Sequence, residues 1–147
     1  MNVPHITASL TYAMFSRIDD AVRRTGGWTG DPFTGAEPTT GYVVAGVNGG
    51  KAGEHVIGLT GETTVHGERY RYSRSESDIM VEAAEYVRRN AHYLHNGAFL
   101  GVWVNGNGDV ILDIVDIHPE RDDAERIGRE RGQTDIFDLS AGDCITL

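Results

Sequence analysis

The chain has one cysteine, four prolines and nowhere a long apolar run among its 147 residues, and each scarcity removes a class of protein. A lone thiol, Cys144, makes neither an internal disulfide nor a multi-cysteine zinc site, which fits a reducing compartment. Near the end of the chain it reads as a buried or idle thiol rather than a nucleophile. No segment approaches the roughly 20 apolar residues that a membrane-spanning helix requires, and MNVPHITASL lacks the basic start and apolar core of a signal peptide. The expectation is a cytoplasmic protein with no membrane partner. Lysine is almost absent too: Lys51 is the only one among thirteen basic residues, and with nineteen glycines this matches GC-rich coding before it implies a function.

What is present is ordinary for a globular protein, with 39% hydrophobic and 24% charged residues, and the length suits a single domain spanning residues 1–147. The formal charge of −9 is unevenly spread, because residues 113–147 hold ten acids against four arginines. A surface of that sign repels nucleic-acid phosphates, so direct nucleic-acid binding is not expected, and it favours a basic protein surface or a cation.

Periodicity places the elements. Leu10, Ala13, Met14, Ile18, Ala21 and Val22 recur at helical spacing before Gly26-Gly27. Asp31-Pro32 and Thr34-Gly35 are turn formers, Tyr42-Val43-Val44 is β-prone, and residues 55–60 and 63–72 supply further strands. A second helix carries Ile79, Met80, Ala83, Ala84, Val87, Ala91 and Leu94 on one stripe, with Ser75 or Ser77 at its start and Asn96-Gly97 at its end. Asn-Gly-Asn-Gly at 105–108, between apolar runs at 98–104 and 110–115, is a hairpin signal because those residues tolerate positive φ. A third helix over 122–131 puts acids in its first turn and arginines toward its end, with Gly128 allowing close approach to a strand and Gly132 as its stop. Strands at 134–139 and 144–147 follow. The sum is an α+β fold, a mostly antiparallel sheet with about three helices packed on it as a two-layer sandwich.

The run GVWVNGNGDVILDIVDIHPERDDAERIGRERGQTDIFDL, residues 101–139, resembles the tail of small, largely uncharacterised proteins of actinobacterial phages, prophages and plasmids. TGGWTGDPFTGAEPTTGYVVAG, residues 25–46, is similar to the segment often found before it. The two cover roughly half of the chain, and the matching positions are mainly turns and core. In such proteins the strand commonly reads as a Tyr-Leu-Asp-Val-Ser type, whereas here it is Ile111-Leu112-Asp113-Ile114-Val115. The resemblance implies an accessory protein of a mobile element and no established activity.

Candidate sites are few. GVNGGKA, residues 46–52, falls short of a phosphate loop, since Ala45 stands at the first glycine position and Ala52 where Ser or Thr should follow the lysine. His92 and His95 could share a metal, but nothing is spaced to complete a zinc site and a solvent-facing helix end is favoured. Asp113, Asp116, His118, Glu120, Asp122 and Asp123 form the densest polar cluster, although strand alternation sets Asp113 against Asp116, and Asp122 suits helix capping. Trp28 and Trp103 read as core or edge-of-core residues before ligand stackers, and Trp28, set among glycines, has the better chance of exposure of the two. The resulting expectation is a non-enzymatic accessory protein without cofactor or metal. It would bind a host protein with a basic surface through Asp116, His118, Glu120, Asp122, Asp123 and Trp28, for instance as an acidic inhibitor of a defence or nucleic-acid-handling system. The alternatives are a small metal-dependent hydrolase built on Asp113, Asp116 and His118, and a structural or virion-associated protein.

Overall fold

The computed structural model describes residues 12–58, 60–65, 68–73 and 76–147, with side chains over 12–58 and 80–147; Leu10 and Ser75 lie outside them. Helix α1 (Tyr12–Thr25) buries Phe15, Ile18 and Val22, about one residue per turn; Ile18 and Val22 belong to the expected stripe, Phe15 does not, and Ala13 of that stripe is exposed. It stops where Gly26 turns to φ +86° and its N–H reaches the Val22 carbonyl at 2.8 Å. Strands β1 (Gly27–Gly30), β2 (Tyr42–Ala45) and β3 (His55–Ile57) follow, with a 3-10 turn at Gly50–Gly53. The expected strand at 63–72 is two strands, β4 (Thr60–Val65) and β5 (Glu68–Ser73), paired with each other.

The expected second helix is broken into α2 (Glu76–Arg89) and α3 (Ala91–Leu94), so there are four helices among the described residues rather than about three. Ser77 lies inside α2 instead of capping it. The break falls at Asn90, whose buried side chain competes with helical bonding: its Nδ2 donates to the Tyr86 carbonyl at 2.9 Å while its Oδ1 accepts from Asn48 at 2.9 Å. Tyr86 donates its hydroxyl to the Gly53 carbonyl at 2.6 Å, which ties the loop between β2 and β3 down onto the helix. No described helix is long and apolar enough to cross a membrane.

Next come β6 (Phe99–Val104), β7 (Val110–His118), α4 (Arg121–Glu130), β8 (Asp135–Asp138) and β9 (Asp143–Thr146). The Asn-Gly-Asn-Gly hairpin forms as read from the sequence. Asn105 Oδ1 accepts the N–H groups of Asn107 and Asp109, Gly108 takes φ +82°, and β6 pairs with β7 from Phe99↔Val115 to Val104↔Val110. The main sheet is antiparallel throughout, ordered β1-β6-β7-β2-β8-β9, with β3 also pairing with β7; it is curled as a half-barrel. Leu100, Val102, Val110, Leu112 and Ile114 face inward against α1 and α2. Further along the same inner face, Val44 (opposite Asp116) and Ile136 pack on Ala124 of α4.

Gly128 of α4 is where helix and sheet come closest. A Cβ there would lie 2.7 Å from the end of the Leu147 side chain and 3.1 Å from Ile136. Alanine gains about 1 kcal/mol of helix propensity, enough to offset a shift of the terminal leucine. Valine adds two more methyls against Ile136 without that gain, so Gly128→Val is expected to destabilise by about 1–2 kcal/mol while Gly128→Ala is near neutral, measured by urea denaturation.

Candidate functional site

Strand β7 runs three residues beyond its expected end at 115, and that extension builds the site. Asp116 and His118, two residues apart on one strand, share a face, and His118 Nε2 sits 2.8 Å from Asp116 Oδ1. Arg131, at the C-terminal cap of α4, lays its guanidinium across the same carboxylate, Nη1 to Oδ1 and Nη2 to Oδ2 both at 2.8 Å. Nη1 also points at the Val44 and Ala45 carbonyls, at 3.4 Å each. Burial alone would raise the Asp116 pKa, but the hydrogen bonds and charges of Arg131 and His118 outweigh it and hold the carboxyl below its ordinary range. The fork-to-fork pair makes Asp116 a fixed, ionised anchor joining the end of α4 to the centre of the sheet.

Asp113 faces the other way. It lies opposite Gly101 on the outer face, accepts the Trp103 indole N–H at 3.0 Å through Oδ2, and leaves Oδ1 buried without a hydrogen bond. Burial pushes its pKa up to about 6 against the opposing effect of the Trp103 bond, with Glu54 adding to the rise. The set Asp113, Asp116 and His118 therefore does not converge, and the hydrolase centre drawn on it is not formed.

The remaining sequence candidates separate as well. Trp28, the tryptophan given the better chance of exposure and named as a partner contact, is 5% exposed in the inner core; Trp103, at 42%, is the one that meets solvent. The Trp28 ring packs in the core and does not present a surface to a partner. Glu120 occupies the N-cap of α4 without a capping hydrogen bond, and Asp122 and Asp123 stand exposed in the first helical turn, so Asp122 is not the cap. His92 and His95 are both exposed, and their rings rest against Tyr93 and Phe33 respectively. Cys144 is exposed rather than buried, yet partial burial of the thiol, together with Asp135 and Asp143, raises its pKa and keeps it protonated. Around Lys51 the chain makes a 3-10 turn in place of the long helix a phosphate loop leads into.

Two features escaped the sequence reading although each had a signal. Arg131 falls seven residues after Ala124 on the buried stripe of α4, which marks it as inward-pointing; Tyr86 lies on the apolar stripe of α2, and Asn90, just past its end, continues that stripe. The third feature has no linear signature. Thr40, Gly41, Tyr42, Ile117, Pro119, Asp138 and Ser140 line an open cleft of about 390 Å³ where the start of β2, the end of β7 and the turn after β8 meet.

No protein-family model, curated protein or solved structure matches the chain.

Proposed function

We propose that the protein is a non-enzymatic accessory protein of a phage or other mobile element that captures a basic surface of a host protein. The observation that carries this reading is the division of charge in the C-terminal quarter. Along α4 the arginines are taken up within the helix, in the pairs Arg121–Glu125, Arg129–Glu125, Arg126–Asp123 and Arg126–Glu130. The fourth arginine of the quarter is committed to Asp116. Glu120, Asp122, Asp135 and Asp143 are exposed and have no ion-pair partner among the described residues, so the surplus negative charge faces solvent. Such a surface steers a basic partner and discriminates against acidic ones. The mobile-element origin rests on the resemblance of residues 25–46 and 101–139.

The variant Glu120→Gln/Asp122→Asn/Asp143→Asn tests the reading. Neutral isosteres at exposed positions should leave the melting temperature nearly unchanged, since such substitutions usually stay within about ±0.5 kcal/mol. The wild-type chain is expected to capture a basic protein from an actinobacterial host lysate, with affinity falling as salt is raised from 50 to 300 mM, on the order of a Debye-screening effect. The folded variant is expected to lose at least about tenfold in affinity, roughly 1.4 kcal/mol. Undiminished binding by a folded variant sinks the proposal.

A further inference from the structure

We propose that the outer face of the sheet at Trp103, Ile111 and Val56 is a docking surface for a basic protein segment that lays an arginine against the Trp103 indole, an inference that deepens the basic-partner reading above and rests on it. The pairing register sets these three residues in one row across β6, β7 and β3. Ile111 is buried between its neighbours, whereas Trp103 and Val56 are exposed, Val56 by 54%. The helices lie on the opposite face: α1 and α2 pack on Leu100, Val102 and Leu112, and α4 packs on Val44 and Ile136. The Trp103 ring is also held in place, because its N–H donates to Asp113 Oδ2 at 3.0 Å. An exposed tryptophan fixed in this way loses little freedom on binding, and tryptophan is among the side chains that dominate protein interfaces.

Charge selects the occupant. No lysine or arginine stands at an outward position of this sheet's strands, while the row next to Trp103 on the same face holds Asp113 and Glu54. Glu54 precedes β3 in extended backbone (φ −67°, ψ 149°), and the following residue, His55, turns its ring to Glu82 of α2 at 3.2 Å on the inner side. Alternation therefore sends Glu54 outward, one strand spacing or about 5 Å from Asp113, and its charge adds to the rise of the Asp113 pKa. Asp113 is 3% exposed, its Oδ1 has no hydrogen-bond partner, and no cation among the described residues pairs with it. A carboxylate at the N–H edge of the indole makes the ring more attractive to a cation. A second copy of the chain would set these acids against their own counterparts on a protein of net charge −9, and nucleic-acid bases would stack on Trp103 only by bringing phosphates to the same carboxylates. A basic protein segment meets both the apolar row and the charge. Arginine suits it better than lysine, because a planar, weakly hydrated guanidinium stacks on an indole while its N–H groups reach a carboxylate.

The test is an NMR titration of the full isotopically labelled chain with the peptide acetyl-Arg-Leu-Arg-Leu-Arg-amide and its lysine and citrulline counterparts, at pH 8 where Asp113 is ionised. Saturable shifts are expected at the Trp103 indole N–H and at the amides of residues 54–56, 101–103 and 111–113, with the indole of the buried Trp28 as the unmoved control. The neutral citrulline peptide should bind at least about tenfold more weakly, and the lysine peptide should fall between the two. Glu54→Gln keeps the shape and should remove most of the preference for arginine over citrulline. Val56→Lys, at an exposed position, should leave the melting temperature nearly unchanged and abolish the Trp103 shift. Neutralising Glu120, Asp122 and Asp143 should leave that shift in place. Equal binding of the arginine and citrulline peptides, shifts centred on α4 and β9, a Trp103 shift that survives in folded Val56→Lys, or no saturable binding would each overturn the surface. A host protein lost on neutralising Glu120, Asp122 and Asp143 but retained by Val56→Lys would overturn it as well and leave the acidic-surface reading standing; one lost with Val56→Lys and retained by the neutralised chain would support the sheet face against the acidic one.

Discussion

Asp116→Ala is expected to cost about 2–4 kcal/mol of stability, more than any exposed acid in the chain. The alanine removes both acceptors of the Arg131 guanidinium, which remains three-quarters buried with only the two carbonyls at 3.4 Å beside it. A buried charge that loses its partner costs about 3–5 kcal/mol, and the partial exposure of this pair reduces that figure. The effect should be undone from the other side: in Asp116→Leu/Arg131→Met no charge is stranded, and the double variant is expected to be more stable than Asp116→Ala. Chemical denaturation of the wild type, Asp116→Leu, Arg131→Met and the double variant gives a coupling energy, expected at about 2 kcal/mol. A coupling near zero would mean that Arg131 hydrates freely when released, and that α4 is held by Val44, Ala124 and Ile136 alone.

How much of this was legible in the linear chain depends on whether the signal was local. The β6–β7 hairpin and the stop at Gly132 depend on residues adjacent in sequence, and the close approach at Gly128 is marked by a glycine on the apolar stripe of its helix, so all three were readable. The opposition of Asp113 and Asp116 was readable too, because alternation needs only a strand. What was missed depends on length and register. Ending β7 at Val115 left Asp116 and His118 in a loop, where their spacing carried no directional information; three more paired residues, opposite Tyr42, Val43 and Val44, place them on a defined face. Asn90 broke a helix because of Asn48, forty-two residues away, and the cleft assembles three segments that no window of sequence contains. Trp28 was misread for a related reason: its glycine neighbours suggest a loop, but they sit in a strand paired with β6, opposite Val102, and the ring turns into the core.

The opposite environments of Asp113 and Asp116 should appear as two limbs of opposite slope in the pH dependence of stability. Asp113 has a folded pKa of about 6, above its ordinary 3.8, so the folded state holds more protons between those values and stability must fall as pH rises from about 4 to about 6, then level off. Asp116 has a lowered folded pKa, so its contribution is present above the ordinary carboxylate value and is lost as pH falls through the folded one. Stability is therefore expected to peak near pH 4. Above pH 7 the ionised Asp113 carries a penalty of up to about 3 kcal/mol, from about 1.4 kcal/mol per pKa unit. Asp113→Asn removes the charge and keeps an acceptor for the Trp103 N–H, but it sets an amide where Oδ1 had no partner, a cost of about 1–2 kcal/mol. The net expectation at pH 8 is a gain of about 1–2 kcal/mol, or a few degrees in Tm, with no gain at pH 4. In the variant the descending limb between pH 4 and 6 should vanish and the acid limb should remain. Melting curves across pH 3–8 decide it: a wild-type profile that stays flat from pH 4 to 6 would mean that the Asp113 carboxylate is hydrated despite its burial, and that the outer face opens to water there.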